Sequence, residues 1–344
     1  MSSRQQLSQR EIDAVLAHYD IGTVHAIHEL AEGSLYSPKT IVECDRGKLL
    51  LKRRARGLDI PAVVAFSHEV MLACLERGLC IPPLLGTKDE HNSMVQFEDQ
   101  AYELFVFIEG SPYAHIPELL TPHAQQAGAL LGELHAILDT LTAQAISFEA
   151  PVEPTTIDIG RLPMLQSPVC AGLDVKLRAE LARLLTFGCE LADANAQAPA
   201  IVHGDWHPGN MIYRDRHIVA ACDFDNTRSG SRPREIAQAL IHFSLKAPSP
   251  GQTAMTCDPS PAIDALASFW RGYRDQPGPT CPAKLCLGLM PAVMIDEALA
   301  LLPSDGMADQ SALDQSMSML TAVARKAAWL DEHQSQLLAS LESA

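Results

Sequence analysis

Between Ala200 and Asp223, three short apolar runs are cut by two polar turns, and no other stretch of the 344 residues constrains the fold as tightly. Ile201-Val202 leads into His203-Gly204-Asp205-Trp206-His207-Pro208-Gly209-Asn210, and Met211-Ile212-Tyr213 leads out. Arg214-Asp215-Arg216-His217 turns the chain again, and Ile218 to Cys222 delivers Asp223. Apolar runs of this length, bounded by Gly, Pro, Asn and Asp, predict a strand, loop, strand, turn and strand. Asp205, five residues before Asn210, shares one loop with it, and Asp223 arrives on the returning strand. An acid, an amide and a second acid so placed offer a general base and two hard oxygen ligands for a divalent cation, the set that phosphoryl transfer from a metal nucleotide requires. Asp and Asn serving only as turn caps is the bland alternative. It leaves unexplained why three polar residues keep defined spacing between apolar strands.

The rest of the chain supplies two kinds of surroundings. Ser8-Gln9-Arg10-Glu11 is a capping-box pattern that opens a short helix ending near Tyr19. Val24 to His28, Ile41 to Cys44 and Lys48 to Lys52, with Asp45-Arg46-Gly47 as the turn between the last two, predict a small antiparallel sheet. Val64, Phe66, Val70, Met71 and Leu75 predict a helix over 61–78, and Pro82-Pro83 stops it. Strand candidates follow at Ser93–Phe97 and Tyr102–Ile108, and Glu109-Gly110-Ser111-Pro112 reads as a connection between lobes. Beyond it the pattern turns helical. Thr121-Pro122 supplies an N-cap and first-turn proline, with Ala127, Leu130, Leu131, Leu134 and Leu138 on one face. Further helices are expected around Leu181–Leu191, from Pro233, and over 261–273, 282–302 and 311–342. The expected fold class is α+β, with a small antiparallel β-rich lobe over residues 1–109 and a larger helical lobe over 110–344.

Composition narrows the classes of function. A net charge of -16 argues against a nucleic-acid partner, whose footprint would be basic. It suits a cleft that attracts cations, or solubility alone. The nine cysteines are scattered without a CxxC pair, the pattern of reduced thiols in a cytoplasmic protein. The N-terminal residues are polar and lack the apolar stretch of a signal peptide, and Leu285–Leu302, the most apolar late segment, is interrupted by Pro291, Asp296 and Glu297. No membrane association is expected, and the oligomeric state is left open. His203 and His207 have the spacing of a helical zinc pair, but Pro208-Gly209 breaks the helix such a pair would need and no third ligand is evident.

The run from His203 to Asn210, with Asp223-Phe224-Asp225 after it, resembles the aminoglycoside phosphotransferase/choline kinase superfamily. These small-molecule kinases include type II homoserine kinases and spore-coat-associated kinases, and their fold is similar to that of eukaryotic protein kinases. The resemblance spans about residues 20 to 300 and is specific mainly over 201–240. It implies a protein-kinase-like two-lobed fold that uses ATP and Mg2+, with Asp205 as catalytic base, Asn210 and Asp223 as magnesium ligands, and His203 packed to hold the loop. Lys52 then matches the phosphate-binding lysine and Glu69 the acid that orients it, although Arg53 and Arg54 leave the register open by a residue. The nucleotide loop, Glu32-Gly33-Ser34-Leu35-Tyr36-Ser37, has a single glycine. Ser34 is either a phosphate contact or part of an ordinary hairpin turn. Matching Phe105 to Gly110 onto the family implies adenine contacts from the backbone of Val106 and Ile108. Asp225 lies two residues after Asp223, so on a strand it shares the cleft-facing side; it and His207 are candidate substrate contacts, with a structural cap as the alternative for Asp225.

The expected reaction is transfer of the γ-phosphate of ATP, or of GTP, to a hydroxyl of a small-molecule alcohol bound largely by residues 111–200 and 235–344. Acidic composition favours an amine-bearing alcohol such as an aminoglycoside, choline or an amino sugar; homoserine, also an amino alcohol, is a further candidate. A pseudokinase acting as a nucleotide-binding regulatory module is one alternative. A Ser/Thr protein kinase is another, opposed by the absence of HRD and DFG triplets: Gly204 stands where the first has Arg, and Asp225 where the second has Gly.

Overall fold

The computed structural model describes residues 4–30, 34–112, 121–143, 150–151, 157–246, 252–278, 281–303 and 309–343. Glu32 and Gly33 of the expected nucleotide loop lie outside the described residues. The elements in chain order are α1 (Gln9–Leu16), β1 (Val24–Leu30), β2 (Lys39–Cys44), β3 (Gly47–Arg53), α2 (Pro61–Glu76), β4 (Val95–Phe97), β5 (Gln100–Val106), β6 (Ser111–Pro112), α3 (Thr121–Ala143), α4 (Val175–Ala194), β7 (Ala200–Val202), β8 (Met211–Arg214), β9 (His217–Ala221), β10 (Arg228–Gly230), α5 (Arg232–Ser244), α6 (Ile263–Arg274), α7 (Ala283–Ala300), α8 (Gln310–Glu332) and α9 (Gln334–Glu342). The class is α+β. The chain forms two compact units, one of Met1–Leu119, Glu133–Val152 and Ile201–Ser229, the other of Leu120–Gly132, Glu153–Ala200 and Gly230–Ala344.

The first unit is built on a five-stranded antiparallel sheet in the order β1-β2-β3-β5-β4. Side chains alternate between its faces, as strand geometry requires. Val42, Leu49, Leu51, Tyr102 and Leu104 pack with Ile12, Val15 and Leu16 of α1 into one core. The intervening positions Leu50, Lys52, Arg54, Glu103 and Phe105 line a cavity on the other face. The turn after Cys44 brings Gly47 back opposite it, and the register carries on to Lys39 opposite Lys52. The strand β5 stops at Val106, so Phe107 and Ile108, expected as strand, lie beyond its end, although the Phe107 N–H still donates to Lys48 O of β3 at 3.0 Å. In the same unit, β6, β8 and β9 form a three-stranded sheet, and β7 pairs with β10. These short strands carry the loop from His203 to Asn210 and the turn after Cys222. The Ala221 N–H donates to Cys80 O at 2.9 Å, which ties β9 to the segment following α2.

Glu11 shows how closely the first helix is fastened. Ser8 and Glu11 form the capping box foreseen from the sequence, each bonding the other's backbone N–H. The Glu11 carboxylate also takes Arg53 Nη1 at 2.5 Å and the Tyr102 hydroxyl at 2.7 Å. Burial works against its charge, but the bonds from Tyr102, Ser8 and Arg53 bring its pKa down to about 2. Glu11→Gln is therefore expected to destabilise the protein by about 1–3 kcal/mol at neutral pH, the cost of leaving a charged partner unsatisfied. Because the folded pKa is the lower one, the wild-type advantage is complete above the unfolded value near 4.5 and fades as pH falls toward 2. Urea unfolding of both proteins across that range measures it.

The second unit is helical and centred on α7, which contacts α4, α5, α8 and α9. Leu285, Leu287, Leu289, Met290, Val293, Ile295 and Leu299 are all buried, so α7 is apolar nearly all round, as a central core helix must be. The helix runs through Pro291 without ending there. A single helix expected over 311–342 is instead two, broken at His333. That ring stacks on Trp329 at 4.0 Å and its Nδ1 pairs with Trp329 O at 2.8 Å, taking up a carbonyl where the first helix ends. No helix among the described residues is long and apolar enough to cross a membrane.

Candidate active site

The loop after β7 is held from inside by His203, which is fully buried. Its ring packs edge-on against Trp206 at 5.2 Å and Phe224 at 4.6 Å. Its Nδ1 accepts the Asp205 N–H at 3.3 Å, and its Nε2 lies 3.3 Å from Cys222 O. The packing role inferred for His203 is the one it occupies. Gly204 takes φ +82, and a side chain there would run into the Arg228 guanidinium and Asn226 O. An Arg at that position, as in a protein kinase, would not fit.

Asp205 and Asn210 meet across the loop. Asn210 Nδ2 donates to Asp205 O at 2.9 Å and to Asp205 Oδ2 at 3.1 Å. The His207 ring lies with Nε2 3.4 Å from Asp205 Oδ1 and accepts the Gly209 N–H on Nδ1 at 3.0 Å. Burial opposes the charge on Asp205, but the His207 contact and the nearby His203 leave its pKa below the ordinary value. The group is ionised at neutral pH.

Asp223 does not ride on a strand. The strand β9 ends at Ala221, Asp223 turns left-handed at φ +67, and Phe224–Asn226 forms one 3-10 turn. The two-residue strand spacing expected to put Asp223 and Asp225 on one side therefore does not operate. The turn brings them together in another way, around Lys52. Lys52 Nζ is 2.8 Å from Asp223 Oδ1 and 2.5 Å from Asp225 Oδ1, with only 5% of its side chain exposed. Lys39 Nζ completes the set at 3.2 Å from Asp223 Oδ2. Burial disfavours the charges on Lys52, Asp223 and Asp225. Even so, Lys52 and Lys39 hold Asp223 well below the usual carboxylate range, and the two aspartates hold Lys52 above its usual one. For Asp225 burial prevails and its carboxyl is pushed up.

Glu69 is not the partner of Lys52. Its Oε2 is buried without a hydrogen bond, while Lys52 is engaged by two aspartates. The acid nearest in register to Lys52 is Glu103, directly across β5. Glu103 is fully buried and accepts Arg54 Nη2 at 2.7 Å and pairs with His68 Nε2 at 2.5 Å. Alternation separates the three cations in part: Arg53 faces Glu11, while Lys52 and Arg54 both line the cavity, Lys52 against Asp223 and Asp225 and Arg54 against Glu103. Glu103→Gln is expected to lower stability by about 3 kcal/mol, because buried Arg54 would lose its 2.7 Å acid partner and keep only Asp225, 3.5 Å from its Nε. Glu69→Gln breaks no bond and should melt close to wild type. Thermal unfolding of the two variants side by side decides between them.

The cavity on this face has a volume of about 350 Å³, within the range of small-ligand sites, and it is lined by Lys39, Lys52, Asp223 and the segment 105–108. Val106 spends its N–H on Pro83 O at 2.8 Å, which leaves its carbonyl for a ligand. Among the described residues the Ile108 N–H has no partner. Ser34 is exposed, and its Oγ accepts the Tyr36 N–H at 3.2 Å, the bond of a local turn. Lys39, Glu103 and His68 were not anticipated, and Arg54 was named only as an alternative to Lys52. For Glu103 a signal existed, a lone carboxylate inside the apolar run Ala101 to Phe107. For Lys39 none did.

The donor set suits magnesium. Asp223 supplies a carboxylate with 20% of its side chain exposed, and Asn210, whose Nδ2 is committed to Asp205, keeps its amide oxygen. Two hard protein oxygens, with the remaining positions left to water and phosphate, is the usual arrangement for that ion.

Comparison with known proteins places these residues in context. Residues 29–278 match the phosphotransferase enzyme family. The homoserine kinase of Pseudomonas aeruginosa strain LESB58 is 27% identical over 282 residues, covering 78% of this chain and 79% of its own. The microcompartment-associated aminopropanol kinase superposes with a TM-score of 0.64 at 15% identity, covering 94% of this chain and 96% of that one. A spectinomycin phosphotransferase bound to ADP and spectinomycin gives 0.63 at 13% identity, with 94% and 98% covered. At such identities these two structures establish a shared fold.

Proposed function

The chain belongs to the phosphotransferase enzyme family, and from that membership we propose that it transfers the γ-phosphate of ATP to the hydroxyl of a small amino alcohol or aminated sugar. The observation that carries the reading is Asp223 bonded to Lys52 in the lining of a cavity sized for a small ligand, with the Asp205–Asn210 pair tied to the residue before Asp223 by the Cys222 N–H, which donates to Asn210 O at 2.9 Å. In this reading residues 1–109 hold the nucleotide and residues 110–344 bring the catalytic loop and the acceptor.

Each residue then has one task. Lys52 holds phosphate oxygens. The Val106 carbonyl and the Ile108 N–H contact adenine, and Ser34 covers the phosphates. Asn210 and Asp223 hold Mg2+, which when bound neutralises charge on the phosphates. Asp205, ionised at neutral pH, orients the acceptor hydroxyl and takes its proton. A strong base is not required, since phosphoryl transfer proceeds through a loose transition state and depends mainly on alignment and charge neutralisation. His207 and Asp225 complete the polar rim near the acceptor.

The acceptor class draws support from two directions. The relatives named above are kinases of homoserine and an aminopropanol and a phosphotransferase bound to spectinomycin, and all three compounds carry both amine and hydroxyl groups. The net charge of -16 favours a cationic ligand. The test is ADP release from magnesium ATP across a panel of amino alcohols, aminoglycosides and amine-free alcohols. Turnover confined to the aminated compounds is expected. Turnover only on amine-free alcohols would overturn the acceptor class. Nucleotide binding with no turnover on any compound would favour the regulatory module.

A further inference from the structure

Lys39 opens β2 directly opposite Lys52 on β3, on the sheet face that lines the cavity. Like charges facing each other across an antiparallel pair are destabilising, so this placement calls for an anion held between them. Asp223 is that anion here, with one carboxylate oxygen 2.8 Å from Lys52 Nζ and the other 3.2 Å from Lys39 Nζ. A single carboxylate is thus shared by two ammonium groups, each with three donors. Lys39 retains only 13% side-chain exposure, so its charge is largely screened from water. Lys52 has a second acid in Asp225, and Lys39 has no other ion pair among the described residues.

The reading of Asp223 as a metal ligand sharpens the question of what Lys39 does. A carboxylate that turns to a divalent cation loosens its hold on both lysines, and Lys39, with no second acid among the described residues, then needs a different counter-charge. A polyphosphate is the ligand of matching chemistry: it carries several charged oxygens, and it is what a cation held by Asp223 and Asn210 would also bind. We propose that Lys39 is a second phosphate-binding lysine, which with Lys52 forms a two-pronged clamp on the β- and γ-phosphates of the nucleotide. The inference rests on the proposal that this cavity takes a magnesium nucleotide.

The clamp predicts a dependence on phosphate number. Calorimetry with AMP, magnesium ADP and a magnesium-loaded non-hydrolysable ATP analogue measures binding without turnover. Lys39→Met is expected to weaken ADP and the analogue at least about tenfold, in line with loss of a charge-assisted hydrogen bond. AMP affinity should stay at the wild-type value, and Lys39→Arg should recover most of the loss. A Lys39→Met protein that melts like wild type and binds all three ligands with wild-type affinity would overturn the clamp, as would equal weakening of all three. If Lys39→Met does not fold, Lys39→Gln is put through the same series and read by the same criteria. Failure of the wild type to bind either magnesium nucleotide would instead overturn the nucleotide reading itself, so the two failures are distinguishable.

Discussion

Asp205→Asn is expected to lower kcat by about 10²–10⁴-fold, the usual contribution of a positioned general base. Affinity for magnesium nucleotide should hardly change. The substitution is nearly isosteric, and a side-chain oxygen remains to accept from Asn210 Nδ2, now 3.1 Å from Oδ2. The His203 bond is to the Asp205 backbone N–H and survives as well. What disappears is the charge that takes the hydroxyl proton. The loss should therefore fall on kcat, with the nucleotide KM close to wild type. The pH profile adds a second check. The Asp205 pKa lies below its ordinary value of 3.8, so deprotonation of this residue should impose no acid limb on kcat at pH 5 and above. Steady-state kinetics between pH 5 and 9 with a saturating acceptor would measure both effects. A variant with unchanged kcat would remove Asp205 from the mechanism.

Asp223→Asn is expected to fail earlier in the cycle, at nucleotide binding, and to destabilise the fold as well. The carboxylate is the shared partner of Lys39 and Lys52. Its removal leaves Lys39 without its ion pair, while Lys52 still has Asp225 at 2.5 Å. Breaking a buried pair on one side costs about 3–5 kcal/mol, and the surviving Asp225 contact argues for the lower end. The pH dependence has a definite sign. Asp223 has a folded pKa well below 3.8, so its stabilisation is complete above the unfolded value and is lost as pH falls through the folded one. Asp225 runs the other way, since burial raises its pKa: its contribution is greatest below the unfolded value and is lost as pH rises. The gap in stability between wild type and Asp223→Asn should thus be widest near neutrality and close in acid. Denaturant melts at pH 7 and pH 3, together with calorimetry of magnesium nucleotide, would establish the effect. Wild-type nucleotide affinity in this variant would contradict the placement of the metal at Asp223.

These expectations depend on residues that differ in how visibly they stand in the sequence. The sheet was legible because a strand with one buried face shows it by alternation, as Leu49 and Leu51 do against Leu50 and Lys52. Asp205, Asn210 and Asp223 were legible because the apolar runs between them leave little freedom in how the loops can close. The left-handed turn at Asp223 was not, since nothing local marks it. The expected strand geometry there was wrong even though Asp225 does reach Lys52. Pairing of Lys52 with Glu69 was expected from family likeness. A helix position alone cannot say that two aspartates reach the same ammonium group from a distant turn. Lys39 was invisible for a related reason: a lysine at the start of a strand looks like any surface lysine until the register sets it against Lys52. The helix break at His333 depends on a ring stack with Trp329 that periodicity does not encode.

The central claim is that this chain moves phosphate from ATP to a hydroxyl. Its most direct test is 31P NMR of wild-type protein incubated with magnesium ATP and an amino alcohol that promotes ADP release. The account predicts that the γ-phosphate signal declines while a phosphomonoester signal on the acceptor oxygen grows in step with ADP, and that Asp205→Asn abolishes this growth over the same interval. ATP consumed to ADP and inorganic phosphate with no phosphomonoester, or phosphomonoester formed as fast by Asp205→Asn, would contradict it.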